Sequence, residues 1–249
     1  MSAKDLVLKP ITRSEADAVI KREHYSGKVV PNSQIHIGVY YSGRLEGVMQ
    51  FGPSIDKRRV SALVEGTRWD EFTELNRMAF GPDLPRNSES RALAIAMRLL
   101  RQHAPKLKWV VSFADGTQCG DGTIYRASGF VLTQIKRNSQ MLNWNGKIIA
   151  RKTLDNKNYP KINGRYYSGH LIESGEAVAL PGFQFRYVYF LDQKAREQLT
   201  VPILPFSDIE KAGAGMYLGV RRGSVDSDTS DLRSEEGSAS LTSRLRTDN

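Results

Sequence analysis

The chain has one cysteine, Cys119, among 249 residues. No internal disulfide can form, which excludes a disulfide-stapled secreted scaffold. Nowhere do eighteen apolar residues run together, so no segment reads as a membrane-spanning helix. The opening stretch MSAKDLVLKPITRSEADAV is interrupted by charge and lacks the apolar run of a signal peptide. Paired-cysteine and His-x-x-x-His spacings are also missing, so no zinc-type ligand set is legible. These absences lead us to expect a soluble, cytoplasmic protein without a membrane partner.

Positive charge is in excess. The sequence carries 36 Lys and Arg against 27 Asp and Glu, a formal charge of +9. Residues 223–249 hold six of the acids and only three arginines, leaving 33 basic and 21 acidic side chains in residues 1–222. Such an excess suits a polyanionic partner, because each neutralised phosphate releases counterions. A solvated basic surface that serves only solubility is the plainer reading. Residues 223–249 contain no aromatic residue and few apolar ones, too little to offset the entropy of ordering them. The expected organisation is one main domain over residues 1–222 and a disordered tail over 223–249.

Hydrophobic spacing outlines a mixed α/β fold. IHIGVYY (35–41) and EGVMQFG (46–52) flank Ser42-Gly43 and read as a hairpin. FTELNRMAF (72–80) alternates as a third strand, which Pro82 and Pro85 end. A helix follows from about residue 89 to 103, with Ala92, Ile95, Ala96, Leu99 and Leu100 on one face and Asn87 or Ser88 as cap. WVVSFA (109–114) is apolar on both sides, as a central buried strand requires. Asn145-Gly146 marks a further hairpin between MLNW and KIIA, and FQFRYVYFL (183–191) reads as a last strand.

Residues 86–130 carry the most information. They run from a polar helix start through an amphipathic helix and a buried strand to Tyr125 and the pair Gly129-Phe130. That order resembles the cofactor half of an N-acetyltransferase of the GNAT superfamily. The words ELNRMAFGPDLPRNSESRAL, SFADG and GTIYRASGF narrow the resemblance to the Mom DNA-modification proteins of Mu-like phages. The resemblance spans about residues 10–220. It implies a GNAT-like mixed central sheet flanked by helices, and acetyl-CoA as cofactor. It also implies double-stranded DNA as partner, with a flipped adenine whose exocyclic amine receives a carbamoylmethyl group, so that phage DNA escapes restriction in the host cytoplasm.

Each candidate site residue has a bare reading beside the implied one. The helix start offers free backbone N–H groups and the positive end of a dipole, which suit phosphate. In the resembling enzymes the pyrophosphate of coenzyme A sits there, so Arg86, Asn87, Ser88, Ser90 and Arg91 become cofactor-binding candidates. The chain departs from the usual glycine-rich turn, with Glu89 and Arg91 where glycines are expected. An ordinary Ser-capped helix start fits the same residues. Tyr125, four residues before Gly129, matches the tyrosine that commonly protonates the departing thiolate of coenzyme A, while a lone helix tyrosine is also ordinary core packing.

Asp115 ends the buried strand, where open α/β sheets place ligands. There it can accept the proton of an attacking amine, or simply form a turn with Gly116. Arg77 resembles a functional arginine of the family and suits a phosphate or a developing anion. His24 and Tyr25 close the first helix and fit adenine stacking, or an iron site shared with a carboxylate, with Tyr25 also a catalytic candidate. The product of the family joins nitrogen to a methylene, which plain acyl transfer does not give, and a redox metal is one way to supply the missing step. Lys57, Arg58, Arg59, Lys136 and Arg137 are the candidate DNA contacts. Trp69, Trp144, Tyr166 and Tyr167 are candidate stacking surfaces. Cys119 has no adjacent histidine to activate it. Two other readings stay open: a conventional acetyltransferase of a protein or small amine, and a DNA-binding module without catalysis.

Overall fold

A computed structural model describes residues 2–217 and 220–221. The expected tail, 223–249, lies outside the described residues. β1 (Val7–Pro10) leads into α1 (Arg13–Glu23). α1 opens with a capping box, in which the Glu15 N–H donates to the Thr12 hydroxyl and the Thr12 N–H donates to the Glu15 carboxylate. β2 (Ile35–Tyr41) and β3 (Arg44–Gly52) form the expected hairpin. Ser42 and Gly43 both adopt positive φ, 49° and 80°, as a two-residue turn between twisted strands requires. The basic run after β3 is itself helical, α2 (Lys57–Ser61), with Asp56 accepting from the Arg59 N–H at 3.2 Å.

Next come β4 (Phe72–Phe80), α3 (Ser88–His103), β5 (Trp109–Asp115), α4 (Thr123–Ala127) and β6 (Val131–Arg137). A smaller unit follows, with β7 (Met141–Trp144), β8 (Lys147–Ala150), α5 (Arg151–Leu154), α6 (Tyr167–Glu173) and β9 (Ala177–Ala179). The chain then returns as β10 (Phe183–Phe190), α7 (Gln193–Glu197) and α8 (Ser207–Lys211). Among the described residues no helix is long and apolar enough to cross a membrane.

The main sheet has seven strands in the order β1-β2-β3-β4-β5-β10-β6. Its neighbours are antiparallel except β4 and β5, which run parallel. The expected mixed α/β sheet with flanking helices is therefore present. Strand alternation divides the core between the two faces. Met49, Phe51, Val110, Ala114, Phe185 and Tyr187 pack with α3 on one face. Val48 and Ala79 pack on α1, and Trp109, Val111 and Val188 pack with Val60 and Ala195, on the other.

The buried stripe of α3 is Ala92, Leu93, Ala96, Met97 and Leu100, while Ile95 and Leu99 are only partly covered. Ala92, Ala96 and Leu100 of the expected face are buried, but the stripe is rotated towards Leu93 and Met97, one turn apart, and away from Ile95 and Leu99. The Asn145-Gly146 hairpin does form, with φ of 50° and 78°. It belongs to a separate three-stranded sheet, β8-β7-β9, with a core of Leu142, Leu154, Leu171 and Ala177.

The feature that positions the site is a short ladder. β4 pairs with β5 only at Phe72–Glu74 with Trp109–Val111, although β4 runs on to Phe80 and β5 to Asp115. Beyond Glu74 and Val111 the two strands carry no mutual hydrogen bonds, and a gap opens in the middle of the sheet.

Candidate active site

Residues from separate parts of the chain meet at this gap. Asp115, at the end of β5, continues the face that carries Trp109, Val111 and Phe113. Its carboxylate accepts from the Thr117 N–H at 3.1 Å and from the Thr117 hydroxyl at 2.6 Å. Burial raises its pKa, and the Thr117 bonds only partly offset this. The result is an oriented carboxylate that is more basic than a free one.

Tyr125 approaches from the α3 face. It lies on α4, 9% exposed, with its ring stacked on Tyr187 at 5.1 Å between centroids and tilted against Phe130. Burial pushes its phenol up to about 12. The Ser112 hydroxyl, buried without a well-formed hydrogen bond, lies near enough to oppose the shift. The Tyr187 hydroxyl donates to the Asp121 carbonyl, which fixes the stacked pair.

Tyr25 follows α1 and is 52% exposed. Its phenol is held protonated first by desolvation and then by the charge of Asp115. The same phenol feels Cys119, Arg77 and Tyr125, so one hydroxyl neighbours most of the cluster. His24 caps α1 through its N–H to the Ile20 carbonyl, and its ring lies 4.3 Å from that of Tyr25. Its Nδ1 accepts from the Ser26 N–H at 3.1 Å, which leaves the proton on Nε2. Desolvation and the Arg77 charge drive its pKa down to about 4, so the imidazole is neutral at neutral pH. Arg77 is pinned by its Nε to the Lys28 carbonyl at 3.0 Å and by a terminal nitrogen to the Asn76 carbonyl at 2.8 Å.

Glu74 is a site residue that sequence reasoning passed over. It sits at the last position where β4 pairs with β5, and burial raises its pKa against the opposing effects of Ser54, Asn76, Arg77 and Lys152. Lys152 comes from α5, so the smaller unit reaches the gap. The signal was present as an acid three residues before Arg77, but alternation alone does not show that β4 loses its partner there.

The iron expectation does not fit these residues. Among the described residues no group of three His, Cys, Asp or Glu side chains can hold a metal ion, and a redox iron site is normally built from at least that many. The Nδ1 of His24 is occupied by Ser26, and the Tyr25 phenol keeps its proton. Cys119 is driven up to about 11 by burial and Asp115, so it stays an unreactive thiol.

A second region lies at the start of α3. Lys4, Arg86, Asn87, Ser90, Arg91 and Arg98 line an open cleft of about 600 Å³. Asn87 occupies the cap position with φ 67°, but its side chain makes no capping bond. Ser88 is fully buried and its hydroxyl donates to the Pro85 carbonyl at 2.6 Å. Neither expected cap acts through its side chain, because the turn set by Pro85 turns Ser88 inward. Ser88 therefore drops out as a phosphate donor, while Arg86, Asn87, Ser90 and Arg91 stay in the cleft.

The expected DNA contacts are exposed but separated. Lys57, Arg58 and Arg59 lie on α2. Lys136 and Arg137 end β6, where Lys136 pairs with Gln184 and Gln184 with Asp115. That register places Lys136 two strand spacings from Asp115, about 10 Å. Of the expected stacking surfaces, Trp69 and Tyr166 are 72% and 52% exposed. Trp144 and Tyr167 instead pack on the core of the smaller unit.

Solved structures similar to the chain include Arabidopsis thaliana NAA60 in complex with a bisubstrate analogue, at TM-score 0.46 and 11% identity over 74% of this chain and 97% of that one. A GNAT family acetyltransferase from Elizabethkingia anophelis with acetyl-CoA bound gives 0.39 and 14%, over 75% and 98%. The methylcarbamoylase Mom of Escherichia phage Mu is 33% identical over 202 residues, covering 81% of this chain and 82% of that protein. The model of the Mom protein family matches residues 5–208, and the chain belongs to that family.

Proposed function

We propose that this chain is a phage DNA-modification enzyme that converts adenine in DNA to a form carrying a carbamoylmethyl group on the exocyclic nitrogen, and so protects that DNA from restriction. One observation carries the reading. Asp115, Tyr125, Tyr25 and Arg77, from four separate segments, converge where β4 and β5 part. The methylcarbamoylase name of the Mu relative and the basic excess of the chain support it.

In this reading Asp115 accepts a proton from the amine of adenine, a role favoured by its raised pKa. Tyr125 holds a proton at its hydroxyl for a departing anionic group, at a pKa of about 12. The Tyr25 ring, half exposed and tilted 30° against the neutral His24 imidazole, offers an uncharged aromatic surface for the purine. Arg77, anchored by two carbonyls, sets positive charge beside the developing anion. The adenine has to leave the helix to reach the gap, because its amino group is hidden in a duplex.

The cleft at α3 fits the phosphates of coenzyme A, with Lys4, Arg86, Arg91 and Arg98 as its cations and first-turn amides free of side-chain caps. Acetyl-CoA bound there would supply a two-carbon unit. Simple acyl transfer joins nitrogen to a carbonyl carbon, whereas the proposed product joins it to a methylene and contains an additional amide nitrogen. Forming the nitrogen–methylene bond from an acetyl methyl group removes two electrons, so the full reaction would need an oxidant as well as a donor of the amide nitrogen.

The test is to express the chain beside a plasmid in bacteria, digest the plasmid to nucleosides and analyse them by mass spectrometry. A new adenine nucleoside heavier by a carbamoylmethyl group is expected. An N-acetyl product on a protein or small amine would support a conventional acetyltransferase instead. Unmodified adenine together with retained DNA affinity would leave only a binding module.

A further inference from the structure

We infer that Ile55 is a wedge that enters the DNA helix and fills the space vacated by the target adenine. The inference rests on the reading above. It starts from the two residues that link β3 to α2. Ser54 is 4% exposed and lies against Glu74 in the wall of the gap. Ile55, the next residue, turns outward and is 66% exposed, and it contributes to none of the hydrophobic clusters. Adjacent Cα atoms are about 3.8 Å apart, so a large apolar side chain stands in water immediately beside the site.

What surrounds Ile55 selects the partner. Asp56 spends its carboxylate on the cap of α2. Lys57, Arg58 and Arg59 are exposed and take part in no ion pair among the described residues. Lys57 lies over the ring of Trp69 at 5.5 Å, and that ring is itself 72% exposed. The charge of Lys152, on α5, also reaches Glu74. Cations for the phosphates thus sit beside an apolar projection next to the gap that receives the base in this reading.

Extruding a base leaves a hole in the stack and costs a few kcal/mol of stacking and pairing. Proteins that unstack DNA commonly insert apolar side chains between bases. A side chain such as Ile55, inserted as the adenine swings into the gap, keeps the base from returning. An unpaired strand needs no such help, and this separates a wedge from a residue that merely binds DNA or supports the fold.

The experiment uses the full-length protein in bacterial extract, which supplies the small co-substrates, with one adenine-containing sequence offered as duplex and as unpaired strand. Ile55→Ala is expected to lower modification of the duplex at least tenfold, to leave the unpaired strand unchanged, and to melt with the wild type. Ile55→Leu is expected to restore duplex modification. Equal losses on both substrates, no loss on either, or a wild type that modifies only unpaired strands would each overturn the wedge. A wild type that modifies neither substrate would remove the DNA-modification reading itself, and the wedge with it.

Discussion

At the start of α3 the charged groups stand in water, where Lys4, Arg86, Arg91 and Arg98 are all exposed around an open cleft. At the gap between β4 and β5 the ionisable groups are withdrawn from it, and burial is the largest cause of the shifts at Asp115, Tyr125, Glu74 and His24. The first arrangement holds a polyanion by several weak attractions that salt screens. The second changes what protons do, because a desolvated group is sensitive to one neighbour. Loss of a group should therefore be graded at the cleft and severe at the gap.

The largest effect is expected from Asp115→Asn, which keeps the shape but not the base. Modified adenine in plasmid DNA should fall about a hundredfold or more, in line with the worth of a positioned general base, with the melting temperature nearly unchanged. Survival of most of the modification would break the contrast between the regions.

Tyr125→Phe should come next, with a loss of roughly tenfold to a hundredfold read in the same nucleoside digest. Stability should hold, since the phenol has at best a weak partner in Ser112. A large drop in melting temperature would recast Tyr125 as core packing alone.

At the cleft, Arg86→Ala combined with Arg91→Ala should weaken coenzyme A binding about tenfold, equivalent to about 1.4 kcal/mol. Isothermal calorimetry at low and high salt would check this, and the difference from wild type should shrink as salt rises. A loss independent of salt would mean that these arginines act by shape.

The smallest effect concerns stability against pH. His24 has a folded pKa of about 4, below its ordinary 6.5, so the unfolded chain binds the proton more readily. The stability tied to neutral His24 is present above pH 6.5 and is lost as pH falls towards 4. Thermal melts from pH 7.5 to 4.5 should show His24→Gln losing less stability than wild type over that window. Parallel curves would show that His24 is not desolvated in solution.

Much of the local structure was legible from the sequence. The Ser42-Gly43 and Asn145-Gly146 turns, the strand at 72–80 and the helix ending at His103 all formed, because turn chemistry and hydrophobic period act within a few residues. Tyr125, Asp115, Arg77 and Tyr25 were legible as candidates through short words in the chain. Glu74 was not, since its importance comes from β4 losing its partner. The inward turn of Ser88 was hidden as well, because Pro85 sets it through a contact that capping rules do not contain.

By itself the sequence determined the family, the excess of cations and the identity of most groups at the gap, since these are properties of residue type and near-neighbour order. Tertiary structure alone decided that β10 enters between β5 and β6, that the Asn145-Gly146 hairpin joins a separate small sheet, and that β4 and β5 part after Glu74 and Val111. Those outcomes depend on long-range strand pairing and on which faces can be buried together, and such competition is settled only when the whole chain packs.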